Sequence, residues 1–167
     1  MARSGARLVA GAALVVTATG AALMAGSWIG SEPARYPASV LDVVDGDTIV
    51  VVFADGRRAT VRVLGVDTPE TKHPTVGVEC YGPEAYAFTR AVLLGAQVTI
   101  EFDREVFDKY GRLLAHVWHD GRSLGDQLLE RGLAEVFVLP PNGAHARTQL
   151  GLELDARAAR RGLWGAC

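Results

Sequence analysis

The sequence predicts an α+β fold in which a small barrel of five strands carries helices on its surface. Short runs rich in Val, Ile and Leu recur along the chain, separated by Asp-Gly pairs and Pro-containing loops. One helical pattern follows the third run, and two more follow the fifth. An OB-type barrel with about three helices fits this order of elements.

The first three strands are predicted to form a meander. β-branched residues flank Asp45-Gly46-Asp47, and Asp-Gly is a preferred dipeptide of tight hairpin turns. Asp55-Gly56 predicts a second hairpin, which leads into the third strand. The five strands are therefore expected within residues 39–54, which hold two of them, and within 57–66, 96–103 and 112–119.

The predicted helices are bounded by residues typical of helix ends. Pro83 suits the first turn of a helix, and Gly95 ends it. Ser123 with Asp126 resembles an N-cap pair, and Gly132 ends this second helix. The three predicted helices cover 83–94, the segment between Ser123 and Gly132, and the Ala-, Leu- and Arg-rich residues 144–161.

Residues 1–30 form a separate segment, and their sequence predicts a hydrophobic helix. Arg3 and Arg7 precede residues 8–30, a stretch of 23 residues without a charged side chain. As a helix this stretch would span ~34 Å, which is enough to cross a bilayer. A basic start followed by an apolar stretch describes both a signal peptide and an uncleaved transmembrane anchor. In either case we expect the rest of the chain to be exported, either as a secreted protein or as a domain anchored to the outside of the cytoplasmic membrane.

Residues 31–38 then predict a Pro-containing linker to one domain over 39–167. The whole chain of 167 residues has a net charge of −2, and residues 31–167 carry 15 basic and 19 acidic side chains, a net charge of −4. No basic excess is present to drive binding to nucleic acid without regard to sequence. The chain has two cysteines, too few for a four-cysteine zinc site. A polyanion would therefore have to be held by other means, such as a metal ion.

Two acidic motifs are candidates for a metal site. Asp47 lies in the first predicted turn, and Asp67 begins Asp67-Thr68-Pro69-Glu70 at the end of the third strand. Simpler interpretations remain open, because the first motif also fits a hairpin turn and the second a helix capping box. If neighbouring strands bring Asp47 and Asp67 together, the two carboxylates repel unless a cation lies between them.

Carboxylate oxygens suit a hard cation such as Ca²⁺ or Mg²⁺, and Glu70 is placed to hold a water molecule at its edge. We expect replacement of Asp47 by Ala to abolish metal binding without a cost to core packing.

Two arginines within predicted strands are candidates for binding an anion. Arg62 interrupts the apolar Val61-Arg62-Val63 run, and Arg112 begins the last predicted strand. A buried guanidinium needs an anionic partner, although strand alternation also allows each side chain to face solvent. Metal-assisted hydrolysis of a phosphodiester requires a cation, a side chain that holds the attacking water, and groups that bind the phosphate. Glu70 could hold the water, and two guanidinium groups opposite the cation could bind the phosphate.

Five segments of the sequence, VVDGDTIVV, VRVLGVDTPETKHP, GVECYGPEA, DKYGRLLA and RGLAEV, resemble in order and spacing those of the staphylococcal nuclease (thermonuclease) family. The resemblance covers about residues 39–164, and the ordered set is far more specific than any one segment. It implies an OB-type five-stranded barrel with three helices. It also implies an extracellular endonuclease that hydrolyses DNA and RNA and leaves 3′-phosphate ends.

The resemblance also implies a metal site. In the family, one Ca²⁺ ion is held by the carboxylates that match Asp47 and Asp67 and by the backbone carbonyl that matches Thr68. The glutamate that matches Glu70 contacts the water around the metal and serves as general base.

The family resemblance further implies how the substrate is held. The arginines that match Arg62 and Arg112 bind the scissile phosphate and stabilise its charge in the transition state. The residues that match Lys109 and Tyr110 contact a terminal phosphate.

The sequence departs from the best-known members of this family at the segment that packs around the nucleotide. Those members carry two tyrosines near residues 136–139, where this chain has only the ring of Phe137 for stacking. Stacking contributes ~1–3 kcal/mol per base, so weaker substrate binding is expected with the same mechanism. The alternative is a catalytically weak OB-type module that binds nucleic acid or protein and is tethered to the membrane. No protein partner is implied, and a monomer is expected.

Cys80 and Cys167 are predicted to form a disulfide. They are the two cysteines of the exported part, and an exported domain meets an oxidising compartment. The bond requires the two Cα atoms to lie within about 7 Å. The alternative is a pair of unrelated thiols.

Overall fold

Residues 34–71 and 77–167 are described by the structure, a computed structural model, and form eight strands and four helices. The strands are β1 (Arg35–Asp45), β2 (Thr48–Phe53), β3 (Arg58–Val63), β4 (Gly65–Asp67), β5 (Gln97–Glu101), β6 (Leu113–His119), β7 (Arg122–Ser123) and β8 (Glu135–Phe137). The helices are α1 (Gly82–Leu93), α2 (Leu124–Arg131), α3 (Ala146–Ala158) and α4 (Leu163–Ala166).

Five of the strands close into the predicted barrel. β1 pairs antiparallel with β2 and β5, β2 pairs with β3, and β5 pairs with β6. A parallel pairing of β3 with β6 closes the circle. Val, Ile and Leu side chains from these strands fill the interior together with the buried faces of α1 and α2. The expected OB-type architecture is confirmed.

The first strand begins earlier than the sequence suggested. Residues 35–38, which we assigned to the linker 31–38, belong to β1 and pair with β5, from Arg35 opposite Glu101 to Ala38 opposite Val98. Arg35 Nε donates to Glu101 Oε2 over 2.9 Å, so a buried carboxylate fixes the start of the strand. The linker boundary is therefore wrong, because local Pro and Gly signals do not reveal an ion pair made 66 residues away.

The third predicted strand, 57–66, divides in two at Gly65. Gly65 has φ +85°, a left-handed conformation that L side chains rarely adopt, and a Cβ atom here would collide with the Gln149 amide. The chain therefore turns after β3, and β4 leaves the barrel to pair with β8. This turn carries Asp67 away from the line of β3.

The first two predicted helices are confirmed as α1 and α2. Pro83 lies in the first turn of α1, and Ser123 Oγ accepts a hydrogen bond from Asp126 N over 3.3 Å at the start of α2. The third predicted helix, 144–161, is shorter. α3 covers only residues 146–158, because Arg160 and Gly162 adopt positive φ and direct the chain into α4.

The leader predicted over residues 1–30 lies outside the described residues. Among residues 34–71 and 77–167, no helix has the length and apolar character needed to cross a membrane.

The predicted disulfide between Cys80 and Cys167 is present, with the Cα atoms 6.1 Å apart. It joins the loop before α1 to the last residue of the chain. At this end Leu163 is buried, and its N–H donates to the Gly132 carbonyl over 2.9 Å. Leu163, and not the adjacent Trp164, is the side chain buried here. Trp164 is half-buried, with the Arg157 guanidinium 3.9 Å from its ring centroid.

A buried histidine outside the predicted site makes stability depend on pH. His116 is 4% exposed and its Nε2 has no hydrogen-bond partner. Burial, followed by the nearby His145, lowers the pKa of His116 to about 4, although Glu101 and Asp103 oppose the shift. The unfolded chain therefore takes up a proton below pH ~6.5 that the folded chain refuses, and stability is lost as pH falls from ~6.5 towards 4.

We predict that His116→Gln removes most of this acid loss, which amounts to about 3 kcal/mol for a shift of this size. Urea unfolding at pH 7.5 and pH 4.5 measures it, and His119→Gln serves as a control, because that half-exposed ring makes its ion pair with exposed Asp120. Equal acid losses for His116→Gln and the parent protein would contradict the assignment.

Candidate functional site

An open cavity of about 540 Å³ lies against the barrel beside β3, β4 and β8. Seven of the nine predicted catalytic, metal and substrate residues line it: Arg62, Asp67, Glu70, Lys109, Tyr110, Arg112 and Phe137. The other two, Asp47 and Thr68, are buried next to it. The structure therefore gathers the predicted set in one place.

The closure of the barrel brings the two arginines together. Arg62 lies on β3, and Arg112 immediately precedes β6. In the parallel pairing of these strands, Arg62 is opposite Leu114, two residues beyond Arg112. Both guanidinium groups therefore reach the same cavity, although a long stretch of chain separates them.

Asp47 lies in the turn between β1 and β2, so the predicted hairpin is present and its acidic side chain points inward. The carboxylate is 6% exposed. Its Oδ2 accepts hydrogen bonds from Thr68 N over 2.9 Å and from Thr68 Oγ1 over 3.1 Å, and its Oδ1 accepts one from Thr48 Oγ1 over 3.0 Å. Asp47 therefore ties the β1–β2 turn to the chain that follows β4.

Arg62 connects the two aspartates among the predicted metal ligands. Its Nη1 lies 2.8 Å from Asp47 Oδ2, and its Nη2 lies 2.5 Å from Asp67 Oδ1. Nη1 also donates to the Val66 carbonyl over 2.8 Å. The sequence suggested that Asp47 and Asp67 are neighbours and that Arg62 needs an anion. Both expectations hold, with the guanidinium balancing the two carboxylates. Residues 68–71, where a helix capped by Asp67 would begin, are not helical, so the capping-box alternative is wrong.

Glu70 lies at the edge of a negatively charged region. Burial is the largest of the effects that raise its pKa to about 7, followed by a hydrogen bond with Asp45 and the charges of Asp45, Asp47 and Asp67. Burial also raises the pKa of Asp67, in spite of Arg62. The carboxyl groups of Asp45, Asp47, Asp67 and Glu70 are thus grouped around a single guanidinium, that of Arg62.

Asp45 is a member of this cluster that we interpreted only as a turn residue. Its Oδ1 accepts hydrogen bonds from Gly46 N over 2.8 Å and from Thr71 Oγ1 over 3.1 Å, which holds the segment around Glu70 against the β1–β2 turn. The sequence did contain a signal for this role of Asp45. A simple Asp-Gly turn needs only one aspartate, whereas Asp45-Gly46-Asp47 has two.

The donor set fits a hard divalent cation. The side chains are carboxylates with an excess of negative charge, and such oxygen ligands suit Ca²⁺ or Mg²⁺. Within the described ranges, no three His, Cys, Asp or Glu side chains are already arranged as a metal-binding group. A cation here would take over part of the role that Arg62 has between Asp47 and Asp67.

Asp108 orients the second arginine, a role that the sequence did not reveal. Its Oδ2 accepts from Arg112 Nε over 2.6 Å, and its Oδ1 accepts from the backbone N–H groups of Arg112 and Tyr110 over 2.9 Å each. Lys109 Nζ lies 4.9 Å from the centroid of the Tyr110 ring. One carboxylate thereby organises the loop that presents Lys109, Tyr110 and Arg112.

Phe137 lies on β8 and reaches the cavity because β8 pairs with β4, where Phe137 is opposite Gly65. It is 48% exposed, so one face of its ring remains open to a ligand. Its role in stacking stays a prediction, and the placement agrees with it.

The burial of Asp47 changes our expectation for its replacement. Asp47→Ala leaves the Thr68 amide and one edge of Arg62 without their partner, and unsatisfied buried donors cost ~1–3 kcal/mol each. We now predict a loss of about 2–3 kcal/mol in the free energy of unfolding without metal. Asp67→Ala is the matched control, because its side chain is 58% exposed and its loss is expected to stay below about 1 kcal/mol. Urea unfolding in EDTA measures both, and equal stabilities of the two variants would refute a structural role for Asp47.

Comparisons with known proteins agree with this geometry. A family model described as "Staphylococcal nuclease homologue" matches residues 60–166. The chain is 37% identical to the thermonuclease of Staphylococcus hyicus over 125 residues, covering 75% of this chain and 73% of that protein. It is 39% identical to the thermonuclease of Staphylococcus intermedius over 122 residues, covering 73% and 72%. It is 41% identical to endonuclease YncB of Bacillus subtilis over 123 residues, covering 72% of this chain and 58% of that protein.

Proposed function

This chain belongs to the staphylococcal nuclease family and is a nuclease, and we propose that it hydrolyses phosphodiester bonds of both DNA and RNA in a Ca²⁺-dependent reaction that leaves 3′-phosphate ends. The observation that carries the proposal is one cavity lined by two arginines, Glu70 and Asp67, with the buried Asp47 joined to it through Arg62. The nuclease relatives favour this function over the alternative, a catalytically weak OB-type module that binds nucleic acid or protein and is tethered to the membrane.

Arg62 and Arg112 are the groups that would bind the scissile phosphate. Both guanidinium groups face the cavity, and each offers a planar fork that matches two phosphate oxygens. Each also has a carboxylate that fixes its orientation, Asp67 for Arg62 and Asp108 for Arg112. Groups held in this way stabilise the charge that develops on the phosphate without reorganising during the reaction.

Glu70 is the candidate general base. A carboxylate whose pKa lies near the working pH accepts a proton from water more readily than an ordinary one. Burial and the surrounding carboxylates raise the pKa of Glu70 to about 7, which favours this role. Asp47, Asp67 and the carbonyl of Thr68 would hold the cation. When bound, the cation would neutralise phosphate charge and polarise the phosphodiester.

Lys109, Tyr110 and Phe137 are proposed to hold the rest of the nucleotide. Lys109 and Tyr110 project from the loop that Asp108 organises, on the same wall of the cavity as Arg112. A cation and a phenol suit a second phosphate, and the open face of Phe137 suits a base or sugar.

Hydrolysis of single-stranded DNA and of RNA in Ca²⁺, compared with EDTA, tests the proposal. We expect both polymers to be cut in Ca²⁺, 3′-phosphate ends on the products, and loss of activity in EDTA that returns with added Ca²⁺. Mass spectrometry of the products identifies the ends. Full activity in EDTA, or products with 5′-phosphate ends, would overturn the proposed mechanism. Activity with Mg²⁺ but not with Ca²⁺ would overturn the choice of metal.

We further propose that the nuclease acts outside the cytoplasmic membrane. Support comes from Arg3 and Arg7 before the uncharged residues 8–30, and from the Cys80–Cys167 disulfide, which suits an oxidising compartment. Fractionation of the native cell should place the activity in the medium or on the outer face of the cytoplasmic membrane. Activity confined to the cytosol would contradict this proposal.

A further inference from the structure

A second groove, of about 380 Å³, continues from the catalytic cavity along the face of the barrel. Tyr110 and Arg112 line both, so the two openings share a wall. The groove then runs between the β2–β3 hairpin and the loop before β6. The side chains that matter for its chemistry are Phe53, Arg57, Arg58 and Phe107, together with the shared Tyr110 and Arg112.

Two aromatic rings stand exposed along this groove. Phe107 is 57% exposed and Tyr110 is 72% exposed. Neither lies on a loose loop, because Phe107 forms a β-bridge with Leu113, and Tyr110 N is bound by Asp108. An apolar ring that is both exposed and held in place is suited to stack on a ligand at little cost in conformational entropy.

The groove is also basic in a chain that is otherwise acidic. Arg58 is exposed and has no ion-pair partner within residues 34–71 and 77–167. Arg57 pairs with Asp55 over 2.6 Å but remains 80% exposed. No acidic residue lines the groove itself. Because residues 31–167 carry a net charge of −4, attraction of a polyanion must come from a local surface such as this one.

We propose that this groove binds the nucleic-acid strand that continues past Tyr110 from the scissile phosphate, with a base stacked on Phe107 and a phosphate on Arg58. The inference rests on the proposed function, since it extends that substrate beyond the catalytic cavity. Exposed rings alternating with arginines are the chemistry that recognises unpaired bases and the backbone between them. The groove therefore selects single strands over duplexes, whose bases are stacked on each other.

Binding measured without catalysis tests the groove directly. In EDTA, fluorescence anisotropy of a labelled 16-nucleotide single strand gives the affinity of the parent protein and its variants. Phe107→Ser should weaken binding about 5-fold or more, the equivalent of one lost stacking contact. Arg58→Ser should lower the slope of log affinity against log salt by about 0.7, the equivalent of one lost phosphate contact.

Matched control variants lie outside both openings. Tyr36→Ser removes an exposed ring that packs on Phe102, and Arg147→Ser removes an exposed arginine of α3. Neither residue lines the groove, so both variants should bind the 16-nucleotide strand as the parent does. Groove variants that bind like the parent, or controls that lose as much affinity, would overturn the inference. Thermal unfolding checks that each protein is folded, and the two groove variants test the proposal independently.

Kinetics in Ca²⁺ separate this inference from the function on which it rests. The groove variants should raise KM for the 16-nucleotide strand and leave its kcat within about twofold, and the rise should vanish for a dinucleotide too short to reach Phe107. If the parent protein cleaves neither substrate, the proposed function fails while the binding data still decide the groove. If cleavage is normal and KM is unchanged in the groove variants, the groove inference alone fails.

Discussion

Arg112→Ala is expected to lower kcat on DNA by about 100- to 1000-fold, the loss typical for removal of one group that stabilises charge in a transition state. Arg112 lines the catalytic cavity, and Asp108 holds its Nε and leaves the rest of the fork directed at the site. A phosphate that gains charge during water attack would lose one of its two guanidinium partners. KM should change much less than kcat, because the interaction strengthens as the charge develops.

Steady-state kinetics in Ca²⁺ measure this effect, and two further variants make it interpretable. Arg112→Lys keeps the charge but loses the planar fork, so it should recover only part of the rate. Arg122→Ala removes an arginine that pairs with Glu130 over 2.7 Å outside the cavity, and it should leave kcat unchanged. A folded Arg112→Ala protein with kcat within a factor of three of the parent would remove Arg112 from the mechanism.

Replacement of both cysteines, Cys80→Ser with Cys167→Ser, is expected to lower the free energy of unfolding by about 4–5 kcal/mol. The bond closes a loop with a sequence separation of 87 residues, and in the chain-entropy model a loop of that size contributes this amount by restricting the unfolded chain. Because whole domains are stable by only about 5–15 kcal/mol, this is a large share of the total.

Guanidinium unfolding with and without reductant measures the contribution of the disulfide. The parent protein should lose stability on reduction, and the double variant should be insensitive to reductant, which controls for other effects of the reagent. Reduction should also loosen α4 first, since the bond is the only covalent tie of the chain end, and α4 then keeps only noncovalent contacts such as buried Leu163, its hydrogen bond to Gly132, and Arg157 on the Trp164 ring. A double variant within about 1 kcal/mol of the oxidised parent would show that native packing, not the bond, fixes the chain end.

Local sequence patterns predicted the elements whose determinants are local. The Asp-Gly turns, the Ser123 cap and the proline that starts α1 each depend on neighbouring residues, and each is present. The break at Gly65 was missed, because the Gln149 side chain that leaves no room for a Cβ atom there comes from α3, far along the chain. The start of β1 was missed for the same kind of reason, a long-range ion pair with Glu101.

In the candidate site, too, the sequence predicted some features and missed others. The order of the motifs identified Asp47, Asp67 and the two arginines, and all lie at or beside one cavity. The bridging position of Arg62 and the orienting role of Asp108 depend on atomic distances that no spacing encodes.

The histidines illustrate the limit of reasoning from segments. His116 and His145 lie in separate segments of the sequence, yet their ring centroids are 4.3 Å apart. Glu101 brings them together, because it is opposite His116 in the pairing of β5 with β6 and its Oε1 lies 2.9 Å from His145 Nε2.

The parallel pairing of β3 with β6 has a consequence for the cell that makes this enzyme. A nuclease can damage the nucleic acid of the cell that produces it. Because Arg62 and Arg112, the proposed phosphate-binding groups, meet only when β3 and β6 join, a chain emerging from the ribosome does not yet have the proposed site. Contacts between distant segments form late, after the entropy of closing the intervening loop has been overcome. On the proposed function, hydrolytic activity is therefore expected to appear only after the barrel has closed.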